Sequence, residues 1–349
     1  MHSSESNRDE IGQAVKAVQP PPLARGEGAT AAAAGAVGDR TLLVVRFPGA
    51  CPEIPASPCA APCARVANRV LGSTPPVEAW TSGRATHRGR LGRVDWAENR
   101  EILFGSLASR LAGDLAGETE AHFADLLEAA ERRGFPHLLR VWNFLPGINA
   151  AEDGTERYRL FNAGRAAAFD ARYGVAGAET RFSASSAVGS SGDHLVTWFA
   201  AARSPGRHLG NPRQVHAFRY PTDYGPRPPS FTRATIAPPE LGQVLFLSGT
   251  ASIAGHETRH VGKLLLQLEE TLHNIETLLS AASGEGSPLA SLPEFDLFRV
   301  YLRDAADLEL VREPLRRRLG PGPALHFVEA DICRADLLLE IEGVAGLPR

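Results

Sequence analysis

The chain has 349 residues, enough for two ordinary domains with cores of their own. Charged residues make up 22%, the net charge is -3 and lysine occurs only at Lys16 and Lys263, so no basic footprint for nucleic acid is present. No stretch approaches the roughly 20 apolar residues of a membrane span, and Met1 to Glu5 opens no basic region followed by an apolar core; a cytoplasmic protein without nucleic-acid or membrane partners is expected.

Residues 1–38 are polar, then rich in Ala and Gly around Pro20-Pro21-Pro22, the composition of a disordered arm. Thr41 to Phe47 reads as the first strand. The Pro-rich loop after it holds Cys51, Cys59 and Cys63, which lack CxxC spacing and nearby histidines, so neither a zinc site nor a disulfide framework is expected. Extended runs follow at 77–80 and 90–96, then a strand at 101–107. A helix over 118–133 carries the stripe Phe123, Leu126, Leu127 and Ala130. After the strand 137–144 comes a second helix, 156–173, which Gly164 weakens. Strands at 180–188 and 194–201 close this half.

The second half begins after Ser204-Pro205-Gly206. Residues 214–220 read as extended and 221–230 as a proline-rich loop. A strand over 244–247 runs into Ser248-Gly249-Thr250. The strongest helical stripe is Val261, Leu265, Leu268, Leu272, Ile275 and Leu279, predicting a helix over 258–279. Next are a strand over 295–302 and a helix from an Asp304 N-cap to Leu319, with a kink or break expected at Pro314. The segment 327–343 reads as two apolar strands joined by a tight connection at Arg334-Ala335-Asp336.

The halves repeat one pattern. Glu101 to Ser109 lies over Val244 to Ser252, and each is followed by helix, strand (Leu139 to Trp142; Phe298 to Tyr301), helix and strand. Duplication of one unit is the simplest account, giving domains 39–205 and 206–349. In the last strand, alternation sets Leu337, Leu339 and Ile341 on one face and Leu338, Glu340 and Glu342 on the other. Carboxylates on so apolar a strand are costly unless solvated or partnered, and a solvated outer face is the simplest expectation from composition.

The second half, through Val244 to Gly249, Leu272 to Ile275, Val300 to Asp304 and Leu339 to Glu342, resembles the RidA (YjgF) family. That likeness implies an α/β (α+β) fold of two RidA/YjgF-like, chorismate-mutase-like domains, the first degenerate, each a mixed sheet with two helices on one face. It also implies a departure. RidA-type imine deaminases hold the substrate carboxylate with an arginine on the penultimate strand, followed in some members by a cysteine; these positions are Leu325 and Phe327 here. An apolar side chain offers no guanidinium fork.

From about Thr41 onwards the chain resembles the chorismatase family (FkbO-like enzymes). The resemblance is carried by Arg140 to Phe144, Phe161 to Arg165, Tyr220 to Arg227, Pro229 to Ala234 and Ser248-Gly249-Thr250. Members cleave the enolpyruvyl ether of chorismate and release pyruvate, and the resemblance implies chorismate as the small-molecule substrate and no cofactor. Protonating the terminal methylene carbon of that ether requires a carboxyl kept neutral by burial or by a neighbouring carboxylate, and Glu340, two residues before Glu342, is the candidate general acid. Two substrate carboxylates ask for guanidinium or hydroxyl partners, the candidates being Arg165, Arg227 and Arg233 with Tyr220, Tyr224 and Thr250. Gly249 would let the backbone approach the ligand, with Cys333 beside it.

A glycine and a cysteine at the positions matched to Gly249 and Cys333 go, within the family, with members forming 3-hydroxybenzoate; alanines there go with members hydrolysing chorismate to 3,4-dihydroxycyclohexa-1,5-dienoate. The expected products are therefore pyruvate and 3-hydroxybenzoate, with some 4-hydroxybenzoate. The alternatives are the hydrolase, a RidA-like imine deaminase and a non-catalytic binding module. His256-Glu257-Thr258-Arg259-His260 formally fits H-E-x-x-H but straddles a loop, so no metal is expected. RidA relatives are trimers with sites between subunits, whereas a fused second copy could replace a neighbour, so a monomer and a trimer both remain open.

Overall fold

The computed structural model describes residues 16–18, 38–48, 61–283 and 291–347. Cys51, Cys59 and most of the arm 1–38 lie outside them. Within that arm, Lys16–Val18 is a strand paired antiparallel with residues 79–81, which corrects the expectation of disorder throughout.

Two sheets of the same plan face each other. The first contains β1 (His87–Leu91), β2 (Val94–Glu98), β3 (Ile102–Arg110), β4 (His137–Pro146), β5 (Ala184–Ser190) and β6 (His194–Ala202), in the order β1-β2-β3-β6-β4-β5. Helices α1 (Leu115–Arg132) and α2 (Arg157–Tyr173) connect its strands. The second contains β7 (Arg207–Leu209), β8 (Ala234–Ile236), β9 (Leu245–Thr250), β10 (Phe295–Leu302), β11 (Ala324–Glu329) and β12 (Leu339–Ala345), ordered β7-β8-β9-β12-β10-β11. Its helices are α3 (Leu264–Ser283) and α4 (Leu308–Leu319). Strand for strand the order repeats, and the single parallel pair among these strands falls at the same place, β4 with β5 and β10 with β11. The units nevertheless interlock, because Val70–Leu71 from the first half pairs with β11 at the far edge of the second sheet.

Alternation along the strands decides which face each side chain covers. On β6, Trp198 and Ala200 point between the sheets while Phe199 and Ala201 meet α1 and α2. On β9, Phe246 points inward and Leu245 and Leu247 meet α3 and α4. The result is two helical layers outside, two sheets within, and a middle layer rich in aromatic rings. There Trp142 stacks on Trp198 at 5.8 Å between centroids, and Trp198 on Phe144 at 5.1 Å. Burying each such ring contributes about 1.5–3 kcal/mol.

The middle layer also holds charge. Arg140 of β4 donates to Glu342 of β12 at 2.6 Å. Arg299 of β10 donates to Glu342 and, at 2.5 Å, to Glu78 of the strand Val77–Thr81. All four side chains are at most 3% exposed. Burial opposes the charge of Glu78, but the Arg299 guanidinium, with help from His326, lowers its pKa to about 2. Burial likewise works against Arg299, yet its carboxylate neighbours raise its pKa well above the ordinary value.

Several local expectations change. The predicted helix over 258–279 begins at Leu264, because His260 and Gly262 take positive φ (58° and 71°) and stop the helix from extending back. Val261 is accordingly 60% exposed, and Thr258 belongs to the small hairpin of Ile253–Ala254 with Glu257–Thr258. The run 214–220 contains a 3-10 turn, Ala217–Arg219, and the strand predicted from 180 starts at Ala184 after another such turn. The run 90–96 is a hairpin turning at Gly92 (φ 56°). Helix α4 runs through Pro314; the carbonyl it leaves unpaired belongs to Leu310, itself 57% exposed. Gly164 does not weaken α2: a Cβ there would strike the Ala116 carbonyl and come within 2.8 Å of Thr119, so the glycine lets α1 and α2 pack closely. The last two strands are not a tight hairpin, since β10 lies between β11 and β12 and their connection spans 330–338. Among the described residues no helix is long and apolar enough to cross a membrane.

Replacing Arg299 by Met would take the guanidinium from the buried Glu78 and leave Glu342 with Arg140 and Ser186. Removal of one partner from such a pair costs about 3–5 kcal/mol, so the urea midpoint of R299M should fall sharply; an unchanged midpoint would show that the network contributes nothing to stability.

Candidate functional site

Glu340 lies on the inward face of β12, 4% exposed, in the wall of a cavity of about 310 Å³ between the two units. That volume suits a small organic molecule. The expected solvated outer face is thus corrected: both carboxyl groups of β12 point into the layer between the sheets.

The backbone opposite Glu340 is shaped to admit it. Between Leu247 and Thr250 the pairing of β9 with β12 slips by one residue, a bulge that places Gly249 against the carboxyl. A Cβ on Gly249 would collide with Glu340 Oε1 and lie 2.6 Å from its Cδ. Ser186 of β5 completes the arrangement. Its hydroxyl accepts from the Gly249 N–H at 2.9 Å and from Arg140, and donates to Glu342 at 2.5 Å, which uses all its hydrogen-bonding capacity.

The two carboxyl groups therefore have different surroundings. Glu342 receives Arg140, Arg299 and Ser186. Glu340 forms no salt bridge among the described residues. Burial first, and then the Glu342 charge, raise its pKa to about 8 against the pull of Arg140 and Arg233. Such a displacement corresponds to something on the order of 5 kcal/mol against ionisation, so Glu340 is a neutral carboxylic acid near neutral pH.

Two arginines in the same cavity have no carboxylate partner among the described residues. Arg165 of α2 donates to Asn162 Oδ1 at 2.9 Å and lies over the Phe161 ring at 5.0 Å. Arg233 donates to the Tyr220 hydroxyl at 2.7 Å and the Val215 carbonyl at 3.3 Å. They are 2% and 4% exposed, and the Nε of each is buried without a hydrogen-bond partner. Burial lowers the Arg165 pKa to about 10, which still leaves it charged. Buried cations without a counter-charge are costly, so the cavity is chemically suited to an anionic ligand.

Tyr220, Tyr224, Gly249 and Cys333 also line the cavity. Burial, then the nearby Glu340, raise the Cys333 pKa to about 12, so it is a neutral thiol and a weak nucleophile. Two candidates do not reach the cavity. Arg227 is held outside by Asp170 at 2.6 Å, and Thr250 is buried with its hydroxyl donating to the Ser248 carbonyl at 3.0 Å. Sequence reading missed Tyr158, Ser186 and Arg334. Tyr158 stands seven residues before Arg165 on one face of α2, a spacing that could have found it, whereas Ser186 had no local signal. His256 and His260 precede α3; His256 Nδ1 pairs with the Tyr224 hydroxyl at 3.2 Å, and His260 lies 3.8 Å from Glu270. Among the described residues no group of three His, Cys, Asp or Glu could hold a metal.

Residues 78–201 match the family described as "Chorismatase FkbO/Hyg5-like, N-terminal". A 3-hydroxybenzoate synthase of Streptomyces hygroscopicus is 35% identical over 88% of this chain and 92% of its own length. A chorismatase of Streptomyces rapamycinicus is 38% identical over 76% of this chain and 81% of its own. A chorismatase crystal structure superposes with a TM-score of 0.82 at 31% identity, covering 95% of this chain and 98% of the other. On a likeness of this extent, in sequence and in fold, the chain belongs to the chorismatase family.

Proposed function

We propose that the protein cleaves the enolpyruvyl ether of chorismate to pyruvate and 3-hydroxybenzoate, with Glu340 of the second unit, 206–349, as general acid and carboxylate-binding groups from both units. The observation that carries this reading is a neutral carboxyl sharing one cavity with two buried guanidiniums that no carboxylate among the described residues offsets. Chorismate presents the matching chemistry, two carboxylates and an electron-rich vinyl ether.

Arg165 and Arg233 hold the carboxylates by charge-assisted hydrogen bonds, with Tyr220 and Tyr224 as neutral donors. Glu340 gives its proton to the methylene carbon, which leaves an oxocarbenium ion, and the carboxylate so formed stabilises that cation in a site of low dielectric. Arg140 and Ser186 keep Glu342 from taking part, since its oxygens are already committed. A ring hydroxyl of the substrate then adds to the cation and gives its proton to the ether oxygen as that oxygen's bond to the former vinyl carbon breaks. The hydroxyl's own bond to the ring breaks next, its oxygen leaving as the keto oxygen of pyruvate, and the ring aromatises by losing a proton that reloads Glu340. Pyruvate and hydroxybenzoate together contain the atoms of chorismate, so the step needs no cofactor. The similarity to a 3-hydroxybenzoate synthase supports this product over the hydrolysed diene acid. Imine deamination lacks its arginine: Leu325 packs against the helical core, and Phe327 is 3% exposed within it.

Glu340→Gln keeps the shape and removes the proton. Pyruvate release should fall roughly a hundred- to ten-thousand-fold with the circular dichroism unchanged; a fully active variant would exclude Glu340 as the acid. The pH profile follows from the raised pKa. The acid is loaded below about pH 8, so kcat/KM should fall about tenfold per pH unit above it, whereas a profile level to about pH 10 would contradict the assignment.

A further inference from the structure

The cavity mouth holds a third guanidinium that the reaction does not use. Arg334 follows Cys333 in the connection 330–338 and lines the opening. Arg159, also at the mouth, is paired with Glu156 at 3.5 Å. Among the described residues Arg334 has no carboxylate partner. Its Nη1 donates to the His256 carbonyl at 2.8 Å and to Thr258 Oγ1 at 3.3 Å, and its Cζ stands 4.2 Å from the centre of the Tyr224 ring. A single side chain therefore joins three rim segments: its own connection, the hairpin ending at Thr258, and the loop carrying Tyr224. Behind it, Cys333 packs against the apolar clusters of the middle layer and the first unit.

We propose that Arg334 is the latch of this mouth and a specificity-determining residue: by closing the rim over bound substrate it keeps water from the cation and sets the ratio of hydroxybenzoate to hydrolysed diene acid. This rests on the chorismate-cleaving reading. The cation is taken by whichever nucleophile reaches it first. Capture by the ring hydroxyl conserves the atoms of chorismate: its oxygen bonds the cation and leaves the ring as the keto oxygen of pyruvate, its proton goes to the ether oxygen that stays on the ring, and the ring proton lost on aromatisation returns to Glu340. Capture by water adds a molecule of water: its oxygen becomes the keto oxygen of pyruvate as the ether bond breaks, one of its protons goes to the departing ring oxygen and the other to Glu340. A stacked guanidinium held by a carbonyl suits the closing role, because planar stacking and a directed hydrogen bond act together. The rim does not depend on it for integrity, since Thr258 Oγ1 also donates to Asp336 at 3.1 Å and Gln267 donates to the Asp336 carbonyl at 2.9 Å.

The test uses the full chain with Arg334→Ala and Arg334→Lys. Pyruvate release is measured with chorismate, and the aromatic and diene products are separated by chromatography. R334A should still release pyruvate, with a raised KM and a severalfold larger share of the diene acid; R334K, which keeps a donor for the His256 carbonyl, should fall between it and the parent. An unchanged product ratio in an R334A that still releases pyruvate overturns the latch, and so does complete loss of release in a folded R334A, which would make Arg334 a catalytic residue. If R334A fails to fold, the ratio in R334K decides in the same way. Failure of the parent chain to release pyruvate would instead sink the chorismate reading.

Discussion

Glu342 is bonded from both sheets at once, by Arg140 of the first unit and Arg299 of the second. Two carboxyl groups buried on one face of one strand cannot both ionise cheaply. The guanidiniums decide which does. Glu342 takes both of them and Ser186 as well, leaving its neighbour two residues away to keep a proton. The acidity of Glu340 is therefore set first by its burial and then by bonds that Glu340 does not make.

The duplication explains how Glu342 comes to have two arginines. Arg140 faces Ala200 in the first sheet, and Arg299 faces Glu342 in the second; likewise Trp142 faces Trp198, and Tyr301 faces Glu340. Arg140 and Arg299 occupy equivalent places in the two copies, as Ala200 and Glu342 do. Thus the first copy has no carboxylate where the second has its pair, and its arginine turns across the interface. One copy alone would give Glu342 one buried cation. Facing copies give it two, and the cavity forms between them.

Much of this was legible in the sequence because it is local. Alternation along residues 337–342 placed both carboxylates on one face, and the repeated Arg-Val-aromatic segments marked the duplication. Which side of the sheet those carboxylates faced was not legible, because the answer lies in residues far along the chain: Arg140 is 202 positions from Glu342 and Ser186 is 156. Arg227 and Arg233 looked alike in one loop until Asp170, 57 positions from Arg227, captured it. The start of α3 was misplaced because Val261 and Leu265 extend the apolar stripe although they are 60% and 48% exposed; periodicity records residue type, while a positive φ at Gly262 ends the helix.

The protonation state of one carboxyl is open to direct observation. Infrared difference spectra between the parent chain and E340Q, recorded through a pH titration, isolate the carbonyl stretch of a protonated glutamic acid. The band should persist at about pH 7 and disappear around pH 8. Its disappearance near the ordinary value of about pH 4 would show that Glu340 is ionised under working conditions and that the charge pinned on Glu342 does not hold its proton in place.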